Sequence, residues 1–191
     1  NTYSISKTTA EKYAMMYANE FGTRVNIVRA LNACGARQKW GKINKITPTF
    51  INAVLEGRQI QVYGGKEKCS VMDMIWVGDI ANVLVDVLEK TMSGEYKPNH
   101  LDGEAFEAGS GYGMPVWDIA EKVVEACKRA GVQTLDNPII EKEMRAGEKE
   151  SSVVVAKTPY HFNYGRDLPP MKEFDEVLDE TVKYYINIQN E

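Results

Sequence analysis

The segment Asn1-Thr2-Tyr3-Ser4-Ile5-Ser6-Lys7-Thr8-Thr9 opens the chain and sets a tyrosine and a lysine four positions apart. On a helix that spacing puts both side chains on one face, about one turn from each other. A phenol is a poor base near neutrality, with a pKa of roughly 10. Bringing a phenol to about 7 takes roughly 4 kcal/mol, at about 1.36 kcal/mol per pKa unit. One ammonium at about 4 Å, in an effective dielectric near 20, supplies a Coulomb term of that size. A tyrosine tuned in this way can exchange a proton with a substrate hydroxyl. The same spacing also arises by chance on amphipathic helices, so the pair carries weight only through the chain around it.

Outward from this pair, residues 2–21 read as one helix. Ala10, Tyr13, Ala14, Tyr17, Ala18 and Phe21 form a stripe at helical spacing, expected to pack on a neighbouring element, a dimer face being a special case. Gly22 stops the helix. Arg24-Val25-Asn26-Ile27-Val28-Arg29 then reads as a strand. Helix, short turn, strand is half of a crossover unit of a parallel sheet, whose preceding strand is not in this chain. The chain begins with Asn two positions before the candidate tyrosine, which reads as a cut through a larger protein.

The 191 residues, 43% hydrophobic and 26% charged, suit one compact domain or the interlocked parts of two. A net charge of -4 argues against a broad nucleic-acid-binding face. Cys34, Cys69 and Cys127 are odd in number and lack CxxC spacing, which favours free thiols in a reducing, cytoplasmic compartment. The two histidines, His100 and His161, lie far apart in sequence, so histidine metal chemistry is not expected. No apolar run is long enough for a membrane span, and no leader-like segment is apparent.

Downstream, residues 30–45 read as a loop. Thr47-Pro48 reads as the cap and first position of a helix ending at Gly57. Strands are expected at 60–63 and 71–77, with Asp79 capping a helix that runs to about Lys90. A polar loop over 92–103, a strand over 104–108, a helix over 116–130, a strand over 139–144 and a last helix over 171–188 complete the reading. Between the 104–108 strand and the next helix lies Gly109-Ser110-Gly111-Tyr112-Gly113. Such a loop can bring backbone N–H groups to a phosphate. It departs from GxGxxG, because Met114 stands where the third glycine would, and no strand with a terminal acid follows at the expected distance. A tight structural turn is the better reading of this loop, with nucleotide binding as the alternative.

Taken together, these ordered segments resemble the C-terminal half of an extended short-chain dehydrogenase/reductase, of the NAD-dependent epimerase/dehydratase type that acts on nucleotide sugars. Tyr3-Ser-Ile-Ser-Lys7 resembles the active-site helix, and Val28-Arg29-Ala30-Leu31-Asn32-Ala33-Cys34-Gly35 the family's strand and loop read as R..N.YGP. Asn44-Lys45-Ile46-Thr47-Pro48, Val62-Tyr63-Gly64-Gly65, Trp76-Val77-Gly78-Asp79 and Met144-Arg145-Ala146-Gly147-Glu148 resemble further family segments in the same order. The resemblance implies an α/β fold: the C-terminal part of a Rossmann-like parallel sheet (residues 1–35 and 79–113) plus a small α/β substrate-binding domain (36–78 and 114–191).

It further implies Tyr3 and Lys7 as the catalytic pair, and Tyr3, Lys7 and Ala30 as contacts to NAD or NADP. Asn32, Lys45 and Arg145 would contact the nucleotide sugar, the two cations facing its diphosphate. It implies a homodimer through the first helix. Two departures stand out. Met72 occupies the place where the family commonly has a second phosphate-binding arginine, and the main cofactor loop would lie before Asn1. A non-catalytic binding or oligomerisation module built on this half of the fold is the competing reading.

Overall fold

The computed structural model describes residues 2–41, 45–98, 100 and 105–189. Asn1, Asn44 and Glu104, named in the expectations above, lie outside them. Helix α1 (Thr2–Phe21) leads to β1 (Val28–Ala30), β2 (Asn32–Cys34), α2 (Ile46–Leu55), β3 (Ile60–Tyr63), the single turn α3 (Gly65–Lys68), β4 (Val71–Trp76) and α4 (Val77–Ser93). There follow β5 (Phe106–Ala108), β6 (Gly113–Pro115), α5 (Val116–Arg129), β7 (Ile139–Lys142), β8 (Val153–Val154), the short α6 (Tyr160–Asn163) and α7 (Phe174–Gln189).

The pairings are mostly parallel: β1 with β5, β2 with β4, β3 with β7, and β8 with β4. Among the described strands β6 alone runs antiparallel, against β4. Parallel pairs joined through helices give the α/β architecture expected from the sequence. Strands β1 and β2 are nearly one strand that changes partner at Leu31, whose N–H still donates to the Ala108 carbonyl at 2.9 Å.

Strand β4 divides the interior. Successive side chains of a strand point to opposite faces. Met74 joins the core that α2, α5 and α7 build with β3 and β7, while Ile75 joins the core of α4 and β5. The first core holds Phe50, Ile51, Val62, Ile119, Val123, Leu178 and Val182, all buried. The second is aromatic: Phe106 stacks on Tyr96 and meets Tyr160 and Tyr164 edge-on. The Tyr160 hydroxyl donates to Asp86 at 2.6 Å, and Asp86 also pairs with Lys90 at 2.9 Å. Burial first, and then the Asp86 contact, push the Tyr160 phenol far above its usual range, so it stays neutral.

Several local expectations shift. The β1 ladder begins at Val28, later than expected, although the Phe106 N–H still donates to the Ile27 carbonyl at 2.9 Å, and the residues before it are anchored by side chains. Arg24 donates to the Met92 carbonyl at 2.7 Å, and Asn26 to the Thr91 hydroxyl at 2.9 Å. Thr47 does not cap α2: the helix begins at Ile46, Lys45 is the flanking residue, and Thr47 is buried. Asp79 does not cap α4 either. It sits inside the first turn and accepts the N–H of Lys172 at 3.0 Å, tying α4 to the approach to α7. Strands β2 and β6 fall where loop was expected, and β8 lies in a stretch for which the sequence suggested no element.

Helix α1 spans the expected range, but Ala18 is its only buried residue. Tyr13, Tyr17 and Phe21 of its apolar stripe are exposed within this chain. The three cysteines are free and buried. Among the described residues no helix is long and apolar enough to cross a membrane, and no group of side chains has the makings of a metal site.

Candidate active site

The pairing of β3 with β7 sets Tyr63 opposite Lys142, and the Gly64 N–H donates to the Lys142 carbonyl at 2.8 Å. Gly64 has φ +82°, and a Cβ there would stand 2.7 Å from the Met144 methyl and 2.8 Å from the Lys68 backbone. Only glycine fits this left-handed, crowded position. The close approach lays the 143–148 loop across the end of β3. The Arg145 guanidinium then lies 3.9 Å from the centre of the Tyr63 ring and 3.4 Å from the Glu148 carboxylate. Burial works against the guanidinium's charge, but Tyr63 and Glu148 outweigh it and hold the Arg145 pKa above its usual value.

Facing this loop, Lys45 and the first turns of α2 complete an open cavity of about 720 Å³. Among the described residues its lining carries four basic side chains, Lys45, Arg58, Arg145 and Lys149, against one carboxylate, Glu148. The chain as a whole is net negative. Phe50, Ala53 and Ile60 give the cavity an apolar floor. A pocket with an apolar floor and converging cations suits a ligand with a flat ring and an anionic tail.

Tyr3 and Lys7 lie together elsewhere. The Lys7 ammonium stands 5.7 Å from the centre of the Tyr3 ring, and Tyr3 is 68% exposed. Helix α1 is registered on β1 by a two-pronged pair in which Arg29 donates to Glu11 at 2.9 and 2.7 Å. The Arg29 hydrogen bond, against a smaller opposing effect of burial, holds the Glu11 carboxyl below its usual range. Ala30, next to Arg29, is exposed opposite Ala108 in the β1–β5 pair. Asn32 points its amide into the sheet, donating to the Asp73 carbonyl at 3.0 Å. The candidate residues thus fall into two groups. Lys45 and Arg145 share the cavity, whereas Tyr3, Lys7, Ala30 and Asn32 are not among the residues lining it.

The glycine loop has a different occupant. Asp73, fully buried in β4, accepts the N–H groups of Ser110 at 2.8 Å, Gly111 at 2.9 Å and Ala156 at 3.1 Å, and the Ser110 hydroxyl at 2.5 Å. The donors that would cradle a phosphate are committed to the chain's own carboxylate. The loop is therefore structural, and β6 separates it from α5. Sequence reading passed over this role of Asp73. Its signal was a lone carboxylate in the otherwise apolar run Val71–Trp76. Arg58 and Lys149 were also missed, since nothing in sequence separates them from other surface charges. Tyr63 was noted only for its family segment, not as the ring beneath Arg145.

Residues 1–109 match the sequence model of the NAD dependent epimerase/dehydratase family. A curated relative, the UDP-N-acetyl-alpha-D-glucosaminuronate decarboxylase of Bacillus cytotoxicus, is 34% identical over 96 residues, covering 49% of this chain and 28% of that protein. The UDP-glucose 4-epimerase of Thermotoga maritima, solved with UDP-glucose, is 25% identical with a TM-score of 0.72, over 98% of this chain and 54% of its own. The dTDP-glucose 4,6-dehydratase of Bacillus anthracis, solved with NAD, shares the fold at a TM-score of 0.75 and 21% identity, over 100% of this chain and 53% of its own. The chain thus spans about half the length of these solved structures. With the family match extending from the Tyr3–Lys7 helix through β5, and the parallel α/β fold continuing to the C-terminal helix, the chain belongs to the NAD dependent epimerase/dehydratase family.

Proposed function

We propose that the chain supplies the proton-transfer pair and much of the substrate pocket of an NAD(P)-dependent epimerase or dehydratase acting on a nucleotide sugar. The observation that carries this reading is the meeting of Lys45 and Arg145, far apart in sequence, on one cation-rich cavity. Two of the similar proteins carry UDP-sugars in their names or complexes, and the dehydratase is a complex with NAD.

In this reading Lys45 and Arg145 take oxygens of the substrate's diphosphate, the guanidinium by its planar fork and the ammonium as a point charge. Tyr3 takes the proton of the sugar hydroxyl. Lys7 holds the nicotinamide ribose, Ala30 borders the same group, and Asn32 contacts the substrate. NAD(P), when bound, supplies the hydride acceptor. The open face carrying Tyr3 and Lys7 fits the ribose end of that cofactor, because an ammonium and a phenol lie side by side on it. The Gly109–Gly113 loop does not fit its diphosphate, because Asp73 already holds the loop's amides. Residues 1–35 and 79–113 belong, on this reading, to the dinucleotide domain, and 36–78 and 114–191 to the substrate domain. The free, buried thiols support a reducing, cytoplasmic setting.

The test has two parts. Calorimetric titration with UDP should show binding that Lys45→Ala and Arg145→Ala weaken, while NAD binds this chain weakly. In the enzyme bearing this chain, Tyr3→Phe should lower turnover by about two to four orders of magnitude with the fold intact. Near-normal turnover would remove Tyr3 from the mechanism.

The uncovered α1 stripe favours a second property, self-association through the first helix as a homodimer. If Tyr3→Phe is silent while charged substitutions at Tyr17 and Phe21 break up a dimer, the chain is an assembly module rather than a catalytic one.

A further inference from the structure

The four cations around the cavity differ in how they are already engaged. Arg58 is held by Glu56, with a 2.5 Å ion pair and a 2.7 Å hydrogen bond. Arg145 lies on Tyr63 and faces Glu148. Lys45 and Lys149 have no ion-pair or hydrogen-bond partner among the described residues. This distribution matters for an anionic ligand. Arg145 with Glu148, and Arg58 with Glu56, are each net neutral as pairs. A diphosphate diester carries a negative charge on each phosphoryl group, so its charge must be met chiefly by the two unpaired lysines.

The backbone fixes where Lys149 stands. The Glu148 N–H donates to the Arg145 carbonyl at 3.0 Å, the Ser151 N–H to the Lys68 carbonyl at 2.9 Å, and the Val71 N–H to the Ser152 carbonyl at 2.7 Å. Residues 148–152 are thereby held beside the entry to β4, where Ser70, Ser152 and Met72 also line the cavity. Two hydroxyls suit an anion, but the Met72 thioether offers it neither charge nor a donor.

We propose that Lys149 is a specificity residue of this pocket, supplying the second ammonium that, with Lys45, neutralises the diphosphate while Arg145 orients it. The proposal rests on the nucleotide-sugar reading above. The experiment is calorimetric titration of the chain and its variants with UDP, with uridine as the uncharged probe. Lys149→Ala should weaken UDP about two- to fivefold, the upper part of the range for an exposed charge pair. Lys149→Glu should weaken it further, Lys149→Arg should restore most of it, and uridine should bind all of them alike. The fall of UDP affinity with rising salt should be shallower for Lys149→Ala.

If Lys149→Ala and Lys149→Glu bind UDP like the parent while Lys45→Ala or Arg145→Ala weaken it, the role of Lys149 is refuted and the pocket stands. If the parent chain does not bind UDP, or none of the variants differs from it, the nucleotide reading fails and this proposal fails with it.

Discussion

The carboxylate of Asp73, wholly buried in β4, accepts the backbone N–H of Ser110 at 2.8 Å, and the Ser110 hydroxyl closes on the same oxygen. With Gly111 and Ala156 on its other oxygen, Asp73 turns the glycine loop into an internal anion receptor. Removing the acceptor strands buried donors, and each stranded donor costs about 1–3 kcal/mol. Asp73→Ala should therefore destabilise the fold by about 3–5 kcal/mol in urea unfolding. Asp73→Asn should lose less, since one amide oxygen still accepts. A loss below about 1 kcal/mol for the alanine variant would mean that the loop finds other acceptors.

Gly64 couples the fold to the cavity. Its φ of +82° and the 2.7 Å approach of the Met144 methyl leave no room for a side chain. Gly64→Ala should cost about 1–3 kcal/mol of stability through backbone strain. It should also displace the 143–148 loop, and with it Arg145, so that UDP affinity falls while that of Gly57→Ala does not. Gly57 has a positive φ too, but among the described residues nothing stands within 4 Å of a Cβ there.

The long helices were legible because their apolar residues recur at helical spacing over three or more turns. α5 and α7 end within a few residues of their expected limits. The short strands were not. β6 reads Gly-Met-Pro and β8 is two valines, too short to show alternation, and both exist because β4 offers them backbone partners. The Tyr3–Lys7 pair was legible because both residues sit on one helix. The cavity was not, because its walls meet only when β3 pairs with β7, and family likeness alone had linked Lys45 to Arg145. Asp73 shows the same limit: a charge in a strand announces a partner but not which segment supplies it.

The thiols should be inert. Burial pushes both Cys34 and Cys127 up to about 12, and Cys69 is buried as well. At mildly alkaline pH a thiol of ordinary pKa, about 8.5, is substantially thiolate, whereas these two remain protonated. Iodoacetamide should therefore modify Cys34 and Cys127 in the native chain very slowly, and all three cysteines promptly after unfolding. Prompt native labelling at Cys34, read by peptide mass, would show that the β2–β4 sheet opens locally.

His161 sets the last expectation, a dependence of stability on pH. Both ring nitrogens are sealed from solvent without a hydrogen-bond partner among the described residues. Burial lowers the His161 pKa, against the smaller opposing pull of Asp79 and Asp86 on α4. Below about 6.5 the unfolded imidazole takes up a proton while the folded one stays neutral. The unfolded state then binds more protons, so stability falls as pH drops from about 7 until the folded pKa is reached. Asp79, whose carboxyl burial raises, acts in the opposite sense: the folded state holds its proton longer, and stability falls as pH rises from the ordinary carboxylate range through the raised folded pKa. Comparing the parent with His161→Phe separates the two. An aromatic ring of similar shape needs no partners, so the variant should match or exceed the parent at neutral pH. Its stability advantage should grow on acidification below about 7 until the folded pKa of His161 is reached. A difference that stays constant across that range, measured by urea unfolding, would mean that the folded imidazole protonates as readily as the free one.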